Sequence, residues 1–165
     1  MASGDSLSKF HPYNNEPPSA NYATLDTRGS GHPCLDFDAT TNESAVFSDV
    51  MPQHYAATTG VTVYLYWAAS TDTTDTHHVY WDVSFELCTG LDLDGDSFAA
   101  AQSKDTDHCS ATSGIETVTT IAFTAGAQMD SVVAGSHFRM MVTRDAANDD
   151  VTGDAELFMV EIRET

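Results

Sequence analysis

Proline is missing from the last 113 residues of this chain. All five, Pro12, Pro17, Pro18, Pro33 and Pro52, fall within the first 52 positions. A ring-locked residue without an N–H suits irregular extended chain and is excluded from the middle of a sheet. The division predicts an irregular N-terminal arm over residues 1–33 and an uninterrupted β domain over 34–165. Basic residues are also scarce: 6 Lys and Arg stand against 25 Asp and Glu, a formal net charge of −19. So acidic a surface repels phosphate backbones and anionic lipid, so neither nucleic acid nor membrane is an expected partner. No apolar run approaches the roughly 18 residues of a helical membrane span. The opening MASGDSLSKF has no apolar stretch of the kind a secretory signal carries.

Catalytic signatures are missing too. There is no Gly-x-Ser-x-Gly, HExxH, P-loop or GxGxxG pattern, so neither an enzyme nor a cofactor is expected. Three cysteines, Cys34, Cys88 and Cys109, are widely spaced and include no CxxC pair. A zinc knuckle is therefore not expected, and reduced thiols in a protein assembled in the cytosol are.

What is present is alternation. Apolar and polar residues alternate through 34–38, 43–48, 61–69, 77–87, 115–124, 137–144 and 155–163, with an eighth candidate near 129–133. Gly, Asp, Asn, Ser and Thr separate these runs and suit turns. One short helix is predicted over 96–102, capped by Asp96 or Ser97. Strands without alternating helices imply an all-β antiparallel sandwich or jelly roll of about eight strands. In 61–69 and 77–87 both tryptophans fall on the apolar parity, which places Trp67 and Trp81 in the core. Tyr64, Tyr66 and Tyr80 fall on the other parity and are the expected subunit contacts, with cross-strand pairing or cover by the arm as the alternatives. The run AELFMVEIR is apolar on both parities. Within the arm, Phe10, Tyr13, Tyr22 and Leu25 are spaced as anchors against a neighbour or the body, although the same composition also fits a disordered tail.

Candidate ion sites are weak. His77 and His78 point to opposite faces of a strand. The run Asp92–Asp96 lacks the glycine and carboxylate spacing of an EF-hand. The loop 145–154 crowds Asp145, Asp149, Asp150 and Asp154, which repel unless a cation or an arginine such as Arg144 neutralises them. No metal is assigned to these residues.

The runs NYATLDTRGSGHPCLDFDATTNESAVFSDVMPQHY, VTVYLYWAAS, VYWDVSFEL and RDAANDDVTGDAELFMVEIRET together resemble small proteins encoded among the head and tail genes of tailed bacteriophages. That resemblance implies a jelly-roll virion component. Its implied role is a capsid cement or decoration protein, a homotrimer on the outer face of the head, with the major capsid protein as partner. The expected place is the outer capsid surface of the virion. Two other readings stand beside it: a tail-fibre or baseplate domain that recognises host surface glycans, and an envelope hydrolase.

Overall fold

In the computed structural model, which describes residues 4–165, ten strands form two antiparallel sheets. The strands are β1 (Ser6–Phe10), β2 (Thr24–Arg28), β3 (His32–Phe37), β4 (Glu43–Val50), β5 (Val61–Ala69), β6 (Trp81–Leu87), β7 (Gln102–Lys104), β8 (Thr117–Phe123), β9 (His137–Arg144) and β10 (Ala155–Glu164). One sheet runs β2-β3-β10-β5-β8, with β1 also paired to β10; the other runs β4-β9-β6-β7. The jelly-roll-like sandwich expected from the sequence is what forms.

The core lies between the sheets and follows the predicted parity. Val61, Val63, Leu65 and Trp67 of β5 face Trp81, Val83 and Phe85 of β6, all fully buried. The two indoles meet edge to face, centroids 6.1 Å apart, and Trp67 Nε1 donates to Thr119 Oγ1 at 3.0 Å. The bond satisfies the one polar atom this ring brings into the interior.

The expected irregular arm is corrected. Residues 1–3 lie outside the described residues, but 6–10 pair with the C-terminal half of β10, and 24–28 form a hairpin with β3. Along β10, β3 takes only Ala155, Glu156 and Leu157, so the rest of that edge is free for β1. Ser8, Lys9 and Phe10 contain no proline and satisfy that edge. Phe10 is buried and stacks on Phe47 at 5.2 Å, so it does anchor, but as a core residue. Tyr13, Tyr22 and Leu25 remain exposed.

Two further expectations change. No α-helix forms over 96–102: Ala99 N donates to Phe85 O, and Gln102 pairs with Val83. Three alanines do not offset the cost of nucleating so short a helix when the open edge of β6 offers backbone partners. The segment 129–133 is not a strand either, since a 3-10 turn, Ala127–Met129, is followed by Asp130 and Ser131 in the left-handed region. Asp130 Oδ2 there accepts from Leu87 N at 2.7 Å.

Candidate functional site

The outer face of the six-stranded sheet gathers the side chains best placed for binding. Alternation turns Tyr64, Tyr66 and Ala68 of β5 away from the core, beside Glu156, Glu161 and Arg163 of β10. The Arg163 guanidinium lies 4.1 Å from the centre of the Tyr64 ring and donates to Tyr66 Oη at 3.1 Å and to Glu161 Oε2 at 2.6 Å. Tyr66 Oη donates to the same carboxylate at 3.2 Å. Burial works to raise the Glu161 carboxyl, but hydrogen bonds from Arg163, Ser6 and Tyr66 outweigh it and hold the group down to about 2. Burial, then the bond to Glu161, pushes the Tyr66 phenol up. The two tyrosines form a fixed, partly buried platform.

Next to that platform lies a groove of about 350 Å³, lined by His11, Arg28, His32, Pro33, Gly114, Glu116 and Phe158. Local sequence builds it. The β5–β10 register slips between Leu157 and Met159, so Phe158 sits at a bulge. The doubly apolar run AELFMVEIR already carried that break in period two, since a bulge adds one residue and shifts the parity after it. The chain also contains two His-Pro dipeptides, His11-Pro12 and His32-Pro33, and residues of both line this groove. Arg28 is held by the Glu156 carboxylate and by the Ser70 carbonyl, 3.3 Å from Nη2. Gly114, at φ +76°, packs on that guanidinium; a Cβ there would stand 2.4 Å from Nε. Only glycine accepts both the backbone angle and the contact.

Beyond Arg28 the same face carries Cys34, Asp36 and Glu156, whose potential ligand atoms lie within 4.8 Å of one another. Burial, then the charges of Glu156, Asp26 and Asp154, raises the Asp36 carboxyl to about 6. Burial, followed by the charge of Asp36, pushes the Cys34 thiol up to about 12.

The other predicted residues are dispersed. Tyr64 and Tyr66 share the platform, but Tyr80 stands just before β6 in the opposite sheet. Tyr13, Tyr22 and Leu25 line a separate hollow with Pro12 and Pro17. In the acidic loop, the neutralising cation is Arg144, fully buried and paired with Asp149. Asp150 accepts from the His78 backbone N, and Asp145 from Asn148 and Asn42. Asp154 lines a different hollow with Asp36, Asp38 and Glu43. His77 Nδ1 donates to the Asp72 carboxylate at 2.8 Å and does not join His78. Phe158, Arg28, Glu116 and both groove histidines were not anticipated as a site, because the sequence places them in separate segments, from position 11 to position 158.

No protein-family model matches the chain, and no curated protein matches its sequence. Solved structures share its fold. A family 35 carbohydrate binding module from Clostridium thermocellum is 9% identical with a TM-score of 0.55, over 94% of this chain and 98% of the module. A native structure of a family 35 module from the same organism is 10% identical with a TM-score of 0.52, over 98% of this chain and 100% of the module. A family GH115 4-O-methyl-α-glucuronidase specific for decorated arabinogalactans aligns at 11% identity and a TM-score of 0.51; this chain spans 18% of its length. The expected capsid cement role is corrected by these comparisons. The family 35 structures that share the sandwich are carbohydrate-binding modules, and none of the structures named here is a phage protein. The strand and turn signatures behind the phage resemblance describe a scaffold and carry no capsid function.

Proposed function

We propose that this chain is a non-catalytic carbohydrate-binding module whose ligand enters the groove at Phe158. The observation that carries the reading is the groove's chemistry. A partly buried aromatic ring lies among the planar or charged hydrogen-bonding groups of His11, His32, Arg28 and Glu116. A pyranose has the same two characters: C–H groups that pack on a ring and hydroxyls that donate and accept at its edge. At about 350 Å³ the space falls within the roughly 300–1,000 Å³ of small-ligand sites. Arg28 is already fixed by Glu156 and Ser70, so little side-chain freedom is lost on binding. The shared sandwich of the family 35 modules supports the reading, and the buried tryptophans exclude a platform built from Trp67 or Trp81.

Isothermal titration against soluble xylan, mannan, β-glucan and arabinogalactan tests it. One of these polymers is expected to bind saturably. Phe158→Ala is expected to weaken that binding roughly tenfold or more, as truncation of a central aromatic anchor does. Equal affinity of wild type and Phe158→Ala for the bound glycan refutes the placement.

A further inference from the structure

Beyond Arg28, the outer face of the six-stranded sheet carries a cluster that the groove does not use. Cys34 and Asp36 are two residues apart on β3, so both project from the same side of the strand. Glu156 stands opposite Asp36 on β10, in register. The Cys34 thiol and the two carboxylates each offer a ligand atom, and these atoms lie within 4.8 Å of one another. The backbone ladder between two strands, rather than a loop, holds them together.

Burial sets this cluster apart from ordinary surface carboxylates. Cys34 is 1% exposed, yet it lies outside the apolar core that takes in its neighbours Leu35 and Phe37. Among the described residues its sulfur meets only Asp36 Oδ1, at 3.7 Å, a contact inside the cluster itself. Glu156 is 8% exposed and meets Arg28 through Oε2, which leaves Oε1 for a further partner. Two side chains more than nine-tenths buried therefore turn polar atoms toward one point. Charge there is one-sided: Arg28 pairs with Glu156, while Asp26 and Asp154 add their negative charges to that of Asp36. Asp36 also lines a hollow of about 230 Å³ with Thr24, Asp38, Glu43 and Asp154, which gives a cation an acidic way in from solvent.

We propose that Cys34, Asp36 and Glu156 bind a zinc ion, with water as the fourth ligand. The donor set names the metal. A thiolate is a soft ligand that calcium and magnesium avoid, whereas one sulfur with two carboxylate oxygens lies within the range zinc accepts. On binding, the Cys34 thiol gives its proton to solvent and its sulfur lone pair to the ion. Burial, followed by the charge of Asp36, keeps that proton in place when no metal is bound. The ion neutralises the carboxylate and so removes the second of these causes. The inference does not depend on the glycan-binding role of the groove.

Calorimetric titration of the reduced full chain with zinc chloride, and absorption spectra during titration with cobalt(II) chloride, test the site. Wild type is expected to bind a single zinc ion per chain, and cobalt to show thiolate-to-metal charge-transfer absorption. Cys34→Ala is expected to weaken zinc binding roughly a hundredfold and to abolish that absorption. Asp36→Asn is expected to weaken zinc roughly tenfold and to keep the absorption, since the sulfur remains. Cys88→Ala, altered just after β6 in the opposite sheet, is expected to match wild type in both measurements. Tryptophan fluorescence checks that each variant is folded, and Asp36→Asn decides the matter alone if Cys34→Ala is not. The proposal is overturned if wild type binds no zinc, if Cys34→Ala keeps the charge-transfer absorption, or if Asp36→Asn binds zinc as wild type does. Calcium bound as tightly as zinc also overturns it, because the acidic hollow alone would then be attracting the ion.

Discussion

Replacing Arg144 with methionine tests what holds the acidic loop after β9. The guanidinium is fully buried and every donor is used. Nε donates to Asp149 Oδ2 at 2.5 Å and Nη2 to Oδ1 at 2.9 Å. The remaining donors reach the carbonyls of Phe37 at 3.0 Å, Gly153 at 2.9 Å and Val151 at 2.8 Å. Methionine keeps the apolar stem and deletes five hydrogen bonds. It also strands Asp149, whose side chain is 2% exposed. Removing one partner of a buried ion pair costs about 3–5 kcal/mol, most of it the penalty of the charge left behind. For a domain of this size that lowers Tm by roughly 6–20 °C. The double variant Arg144→Met, Asp149→Leu removes the stranded charge and is expected to recover more than half of the loss, leaving the three carbonyls as the residual cost. Urea denaturation followed by tryptophan fluorescence measures each step. A single variant within about 1 kcal/mol of wild type refutes the argument, since it means that water enters the loop and the pair was never isolated.

Three other expectations follow from the same contacts. Phe10→Ala removes a buried ring stacked on Phe47 and is expected to cost about 3–5 kcal/mol in a denaturant melt, whereas a solvated arm predicts no change. At the loop end of the sandwich, burial works to raise Asp72, but bonds from His77 and from Thr152 and Thr74 hold it well below the usual carboxylate range. The bond to Asp72 in turn raises His77. A raised histidine contributes stability that is complete below its unfolded pKa of about 6.5 and is lost as pH rises through the folded value. His77→Gln is therefore expected to be less stable than wild type near pH 5.5 and to converge with it near pH 9; a gap that widens with pH contradicts the pairing. Finally, burial raises all three thiols, Cys34 to about 12, so none is expected to react with a maleimide near pH 8 until the protein unfolds.

The strands legible in the sequence are those with a clean period of two and both ladder partners. β5 and β9 occur at the predicted bounds, 61–69 and 137–144, because each sits inside a sheet where one face must be apolar. Pairing at the margins was not legible. Residues 6–10 alternate too briefly to announce a strand, and their place depends on β3 leaving β10 after Leu157. Proline content spoke only against central strands, and β3 carries Pro33 near its start. His77 to Tyr80 have strand composition but leave the ladder, because His77 turns to Asp72 and His78 bridges to His108. The site was less legible than the fold. Parity turned Tyr64 and Tyr66 to the outer face but did not mark a binding site, and the groove needs side chains from β2, β3, β10 and the turn after β1, which no spacing in the chain connects.

Charge placement bears on what this face can bind. Of the six Lys and Arg, Lys9, Arg28 and Arg163 lie on the outer face of the six-stranded sheet, facing Glu161, Glu156 and, at the groove, Glu116. Asp26 and Asp36 lie on the same face, so it carries more negative than positive groups, but each of its three cations is paired with a carboxylate. The groove's arginine, Arg28, is thus already neutralised by Glu156. A neutral glycan approaches such a face without displacing counter-ions and without a long-range field to steer it. At 1 M salt the Debye length contracts to about 3 Å, which suppresses binding driven by the surface charge and leaves ring stacking and short hydrogen bonds intact. Affinity for the bound glycan is therefore expected to change less than about twofold between low and about 1 M sodium chloride. A tenfold fall over that range would show that the ligand is charged and that Arg28 and Arg163 meet it directly, contrary to the engaged state in which Glu156 and Glu161 hold them.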